Sequence, residues 1–350
     1  MKIAWILPFL GCALWAQGAA SQDGEVGNAC ADLNRRAIEQ ATMGQLREAE
    51  TALATAMGDS TKRHEPACGG LLLNNLATVL YLSGRLTEAE VFAERSVSTL
   101  EPVLGPNTTR LLRPLHVLAS ARLEQGKIGK AREALTKMRG IPLERVEDRM
   151  LVHGAAAVLF QAEGRFTDSE SEFRSALVEW ERAGKPSGAE VASLFGGLAS
   201  LYLHAERLED AAHEVDRALT ELKTAANAVP MDRIRLLQLR ATLDLRKGNW
   251  RQAERDLEEA IALARDEPRA DRELPASMMM AYAELLRKHH RRREAHVLEQ
   301  SARALRGHLA TDNTVDVTEL RRKSDFHNKV RTTEEAPRTR SLKELERQLL

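Results

Sequence analysis

Apolar residues return every three or four positions along most of the chain, which is the period of an amphipathic helix and not the alternation of a strand. Leu73, Leu76, Ala77 and Leu80 share one helical face, and Ala89, Phe92, Ala93 and Val97 continue it on a second helix. Between them lies Gly84-x-Leu86-x-x-Ala89, a pattern of glycine, apolar residue and alanine that recurs. It returns as Gly44-x-Leu46-x-x-Ala49, Gly126-x-Ile128-x-x-Ala131, Gly164-x-Phe166-x-x-Ser169 and Gly248-x-Trp250-x-x-Ala253. Degenerate copies, Glu206-x-Leu208-x-x-Ala211 and His290-x-Arg292-x-x-Ala295, stand where the period requires them.

Seven residues before each turn position the chain carries alanine: Ala37, Ala77, Ala119, Ala157, Ala199, Ala241 and Ala283. The steps are 40, 42, 38, 42, 42 and 42 residues. A second small column follows on the next helix at Ala56, Ser96, Ala176, Ala218, Ala260 and Ala302, with Met138 as its one large member. Small side chains at fixed places on two successive helices let antiparallel axes approach closely. Glycine between them supplies the positive φ that a short reversal needs. The reading is an all-α array of helix–turn–helix units near 28–66, 67–108, 109–146, 147–187, 188–230, 231–272 and 273–306. Gly105-Pro106-Asn107-Thr108, Gly184-Lys185-Pro186, Val229-Pro230 and Glu267-Pro268 are expected to stop the second helices.

These columns resemble the tetratricopeptide repeat over about Ala31 to Arg306, although the period exceeds the common 34 residues. The phrases Leu73-Asn74-Asn75-Leu76-Ala77 and Ser83-Gly84-Arg85-Leu86-Thr87-Glu88-Ala89-Glu90 look like the longer variety found in kinesin light chains and many bacterial proteins. Glu101-Pro102-Val103-Leu104-Gly105-Pro106-Asn107 fits that variety's loop between repeats. HEAT and armadillo arrays have a similar period but lack this turn. The resemblance implies a right-handed superhelix whose first helices line a concave, ligand-holding face. Carried over residue by residue, that face holds Asn74, Thr78 and Tyr81, then Arg113, His116 and Ser120. Gln161, Ser200, His204, Arg235, Gln238, Thr242 and Arg246 continue it. Such side chains can hydrogen-bond an extended backbone or a carboxylate, and a groove kept polar only for solubility would read the same way. Trp250 occupies the apolar turn column and is expected in the core. The seventh unit, with His290 and Arg292 in turn and apolar positions, reads as a terminal cap.

The ends differ from the array. Lys2, the uncharged stretch Ile3 to Ala16 and the small residues Gly18, Ala19 and Ala20 fit a secretory signal over 1–20. Pro8 interrupts that stretch, and it is too short to span a bilayer. Leu10-Gly11-Cys12 loosely resembles a lipobox. After signal removal Cys30 and Cys68 remain, an even count that permits one disulfide in an oxidising compartment; two separate buried thiols are the other reading. Residues 307–350 form a polar tail in which Ser341 and Glu344 make a capping box for a short terminal helix.

Charge and composition narrow the function. Lys plus Arg equals Asp plus Glu at 51 each, so no net field favours a polyanion. No Gly-x-Ser-x-Gly, phosphate loop, His-Glu-x-x-His or Cys-x-x-Cys occurs. His289, His290 and His296 lack the i, i+4 spacing of a helical metal site, and an exposed turn accounts for them. The expectation is an exported scaffold that holds a protein or peptide in its groove, with no catalysis, cofactor, metal, nucleic acid or membrane span. The alternative is a helical-superhelix enzyme acting on envelope polymers.

Overall fold

The computed structural model describes residues 40, 46–62, 65–82, 84–185, 188–225, 228, 230–266 and 273–313. The stretch 1–20 read as a secretory signal, Cys12, Cys30, Ala37, Gly44 and everything after Asn313 lie outside the described residues, as do Pro186, Val229 and Glu267-Pro268. Thirteen α-helices and no strand are present among the described residues. In chain order they are α1 (Leu46–Lys62), α2 (Pro66–Leu82), α3 (Leu86–Leu104), α4 (Leu112–Glu124) and α5 (Ile128–Gly140). There follow α6 (Val146–Ala162), α7 (Phe166–Arg182), α8 (Ala189–His204), α9 (Leu208–Thr224), α10 (Pro230–Lys247) and α11 (Trp250–Asp266). The last two are α12 (Glu273–Lys288) and α13 (Arg292–Asn313).

The chain divides into two compact units, Met1–Ala270 and Asp271–Leu350. In the first, each even-numbered helix pairs with the odd-numbered helix after it and also packs on the one before it. The even-numbered helices touch one another as well, α2 on α4, α4 on α6, α6 on α8 and α8 on α10. They therefore form one continuous inner layer, with the second helices outside it. That is an α-solenoid of stacked hairpins. In the second unit α12 and α13 make one hairpin. Helix α13 continues to Asn313, past the point near Arg306 where the sequence columns stop, because no breaker intervenes.

The small columns lie at the packing surfaces. Ala77, Ala157, Ala199, Ala241 and Ala283 are buried, and so are Ala56, Ser96, Met138, Ala176, Ala218, Ala260 and Ala302. The approach is closest where glycine takes part. A Cβ on Gly70 would lie 2.5 Å from Leu100, and one on Gly197 would lie 2.5 Å from the Phe173 ring. Trp180 meets Phe195 edge-on at 5.5 Å between ring centroids, filling the junction between α7 and α8.

Six successive turn positions adopt positive φ: Gly84, Gly126, Gly164, Glu206, Gly248 and His290. The turn is thus kept where glycine is not. The apolar residue two places on is less buried than its pattern suggests. Leu86, Ile128, Leu208 and Trp250 are only partly covered, and Phe166 is exposed and stacks on His204 at 6.3 Å. These side chains cover the turn from outside, where the core has already closed.

Candidate binding groove

The inner layer is built from α2, α4, α6, α8 and α10, and the sequence-derived groove residues fall on all five. They do not fall at one depth. Asn74, Tyr81, His116, Ser120 and Ser200 are buried, whereas Thr78, Arg113, Gln161, His204, Arg235, Gln238 and Thr242 are partly exposed. Arg246 is exposed and pairs with Glu206 in the preceding turn.

Several of the hydroxyls serve their own helix. Thr78 donates to Asn74 O at 3.0 Å, Ser120 to His116 O at 2.8 Å and Thr242 to Gln238 O at 2.9 Å. Such i to i−4 bonds satisfy a buried hydroxyl without an outside partner. His204 Nδ1 donates to Ser200 O at 2.9 Å, and Gln161 Nε2 reaches Ser200 Oγ at 3.4 Å, which links α6 to α8. Asn74 Nδ2 donates to Asn75 Oδ1 at 3.1 Å, while its own Oδ1 and the Nε2 of His116 are buried without a hydrogen-bond partner. Burial pushes the His116 imidazole down to about 4, so the ring is neutral at neutral pH.

Two charged constellations stand out on this layer. Tyr81 donates its hydroxyl to Glu124, joining α2 to α4. Burial raises the Glu124 carboxyl, against that hydrogen bond and against the attraction of Arg235 on α10. A charge three units further along the chain therefore acts on the same point of the inner layer. At the other end of these helices, burial pushes the Arg113 guanidinium down, with Asp148 and Glu190 opposing it. Asp148 is itself raised by burial.

A ladder of ion pairs also links successive units, and the groove columns gave no sign of it. Arg85 reaches Glu50 at 2.9 Å, Lys127 reaches Glu90 at 2.5 Å and Arg207 reaches Glu170 at 3.2 Å. Each joins the residue after a turn position to the residue after the previous unit's motif alanine or serine. The signal was legible as a base and an acid at matching offsets. Where Arg132 replaces the acid, the polarity reverses and it pairs with Glu163 at 2.7 Å. Glu90 is the most enclosed member. Burial raises its carboxyl, but hydrogen bonds from Lys127, Arg122 and Gln125 outweigh burial and hold it below the usual range.

Cys68, at the start of α2, is buried and disulfide-bonded. The other two cysteines, Cys12 and Cys30, lie outside the described residues. Among the described residues no group of three or more His, Cys, Asp or Glu is placed to hold a metal, and no helix is long and apolar enough to cross a membrane. His296 Nε2 lies 3.0 Å from Gln300 Nε2, and His290 occupies the turn itself.

Stacked helical hairpins with buried small columns and a left-handed residue at each turn define a class, the helical-repeat solenoids. Residues 70–140 match the tetratricopeptide repeat family. That stretch runs from within α2 to the end of α5, two of the stacked hairpins. Solved structures share the fold at low identity. A chain of the APC/C hetero-tetramer Cut9-Hcn1 is 11% identical over 90% of this chain and 52% of its own length, with a TM-score of 0.60. This chain therefore spans about half of that one. The apo form of RapI is 10% identical over 81% of this chain and 99% of its own, at 0.56. A Rap protein complexed with Competence and Sporulation Factor is 13% identical over 84% and 91%, at 0.50. No curated protein matches the sequence.

Proposed function

We propose that this protein is an exported, non-catalytic scaffold that holds a protein or peptide segment against its inner layer of first helices. The observation that carries the reading is the continuous packing of α2, α4, α6, α8 and α10, which presents Thr78, Gln161, Arg235, Gln238 and Thr242 partly exposed along one layer. An inner layer of polar side chains on rigid helices suits an extended main chain, whose donors and acceptors need partners wherever it runs. The Rap structure complexed with Competence and Sporulation Factor is consistent with such a use of the fold. Two features favour an envelope location: the apolar leader over 1–20 and the disulfide at Cys68, since disulfides persist in oxidising compartments.

A photocrosslinking amino acid placed at Gln238 on the inner layer, and separately at Val178 on the outer helix α7, tests this in native cells. Discrete adducts from position 238 and none from 178 are expected, all in the envelope fraction. Adducts from 178 alone would move the binding face to the outside. Recovery of the mature chain in the cytoplasm with Cys68 reduced would remove the export reading.

A further inference from the structure

Helix α5 departs from the rest of the outer layer. It has 13 residues, whereas α3 has 19 and α7, α9 and α11 have 17 each. It stops at Gly140, and residues 141–145 cross to α6 without helical structure. Arg149 of α6 donates to the carbonyl oxygens of Leu143 and Glu144, at 3.3 and 2.7 Å, so the later part of this connection is tied to α6. The core is interrupted at the same place. One cluster of buried side chains runs from Met150 on α6 to Leu243 on α10 and takes in none of the buried residues of α2 to α5. Helix α6 is divided between the two sides. Met150, Ala157 and Val158 belong to that cluster, whereas Val152, Ala155, Ala156 and Leu159 are buried outside it. Among the described residues of the earlier helices, Leu123 alone packs against the cluster, and it is only partly buried.

The ion pairs between α5 and the next hairpin are solvated as well. Arg132, which meets Glu163, is 59% exposed, and Arg139, which meets Glu172, is 43% exposed. One junction earlier, Arg122 and Glu90 meet at 3.0 Å with both side chains enclosed. The cluster also ends within α10, but there the buried Asp256 ties α10 to α11 through Arg240. Exposed pairs contribute little, and a fold gives way first where few buried apolar contacts cross.

One charge relationship spans this junction on the groove side. Glu124 on α4 accepts the Tyr81 hydroxyl from α2, and Arg235 attracts the same carboxyl from α10. Packed helices lie about 8–10 Å apart, so three steps laid flat would put α4 roughly 24–30 Å from α10. Exposed charges act over roughly 8 Å at physiological salt, so the inner layer curves enough to turn the two residues toward each other. The other cations of α10 are bonded to acids: Arg233 to Glu259, Arg240 to Asp256, Arg246 to Glu206 and Lys247 to Glu209. From the interrupted core, the short α5 and the facing Glu124 and Arg235, we propose that the solenoid hinges at residues 140–142, with Glu124 and Arg235 as an electrostatic latch that holds the lobes α1–α5 and α6–α11 together across the groove. Groove residues divide accordingly, Thr78 and Arg113 on the first lobe and Gln161, Gln238 and Thr242 on the second. On the groove reading above, which the proposal deepens, releasing the latch widens the space that receives a partner segment. An attraction short of a direct ion pair suits this role, because it biases the closed state without making opening costly.

The test measures distances in the full chain by pulsed electron paramagnetic resonance. Spin labels are carried on noncanonical amino acids at exposed positions, which leaves the cysteines untouched. Thr55 with Thr136 reports on the first lobe, Ser171 with Ala262 on the second, and Ser98 with Ala262 across the hinge. A rotation of about 10° acting over roughly 30 Å moves the far label by about 5 Å. Raising salt from about 50 mM to about 1 M should lengthen and broaden the cross-hinge distance by that amount and leave the other two unchanged. Arg235→Gln should show the high-salt distribution already at low salt, and Arg235→Lys, which keeps the charge, should restore the closed one; circular dichroism confirms equal helicity. Equal broadening of all three pairs would mean a uniformly elastic solenoid and overturn the hinge. A cross-hinge distance indifferent to salt and to Arg235→Gln, or a lysine variant that behaves like glutamine, overturns the latch. No partner is present in these measurements, so failure of the groove reading in the crosslinking experiment is a separate result.

Discussion

Ser96 Oγ on α3 donates to the carbonyl oxygen of Gly70 on α2 at 2.7 Å, so the two helices of this hairpin touch main chain to side chain. Both positions must be small for that contact to exist. The fully buried Leu100 closes the other side, 2.5 Å from where a Gly70 Cβ would sit. Gly70→Ala should therefore cost about 1–3 kcal/mol through overpacking, offset in part by alanine's better helix propensity of about 1 kcal/mol. Ser96→Ala should cost about 1 kcal/mol, the usual net value of one hydrogen bond. Urea denaturation of both variants checks this; a neutral Gly70→Ala would mean that Leu100 can move aside.

The hairpins and their spacing were legible because the signal was periodic. Small residues returning about every 42 positions located packing surfaces and turns, even at Glu206 and His290, where the glycine is lost. The depth of individual groove residues was not legible. Tyr81 and Gln161 occupy the same column, four places after the motif alanine, yet Tyr81 is buried against Glu124 and Gln161 is half exposed. What separates them is the neighbouring helix, and a single-helix pattern carries no information about it. Phe166 fails in the other sense: an aromatic in an apolar column ends up exposed, its ring stacked on His204 of the next unit rather than buried in its own hairpin.

His116 should make stability depend on pH. Its folded value of about 4 lies below the ordinary 6.5 that the unfolded chain recovers. Above pH 6.5 both states carry a neutral ring, and the group contributes no slope. Below it, the unfolded chain binds a proton that the folded chain refuses, so stability falls until the pH passes about 4. The loss should reach about 2 kcal/mol by about pH 5, before the carboxylates interfere. Measured between about pH 7 and pH 5, His116→Leu should show a flatter stability curve than wild type. Parallel curves would assign the slope to other groups.

Not all ion pairs in the molecule carry equal weight. Asp256 is 2% exposed and takes two hydrogen bonds from Arg240, at 2.7 and 2.8 Å, with a third from Gln252 at 2.8 Å. Removing the guanidinium leaves a buried carboxylate with one amide, and Arg240→Met should cost about 3–5 kcal/mol. Arg207 also meets an acid, Glu170, but its side chain is 42% exposed and solvent screens the pair. Arg207→Met should cost no more than about 1 kcal/mol, part of it from lost stacking over Tyr202, whose ring lies 4.1 Å from the guanidinium carbon. Thermal unfolding of the two variants side by side decides between them. Equal losses would show that the ladder between units matters as much as the buried pair.

The turn column permits a stabilising change as well. Glu206 has φ of 57° where Gly84, Gly126, Gly164 and Gly248 hold the same place with φ between 72° and 79°. A non-glycine residue in that region is disfavoured by about 1–2 kcal/mol, because its Cβ crowds the following carbonyl. Glycine removes the crowding but adds freedom to the unfolded chain, worth about 0.4–1 kcal/mol in the other direction. The pair with Arg246 that would be lost is largely exposed on the Glu206 side and weighs little. Relief of the left-handed backbone outweighs the added freedom, so Glu206→Gly should stabilise the protein by about 0.5–1 kcal/mol. Gly164→Ala, where nothing lies within 4 Å of the added Cβ, should destabilise it by a similar amount through backbone conformation alone. Opposite shifts in the urea midpoint would tie both effects to φ; a destabilised Glu206→Gly would show that its ion pair outweighs the backbone.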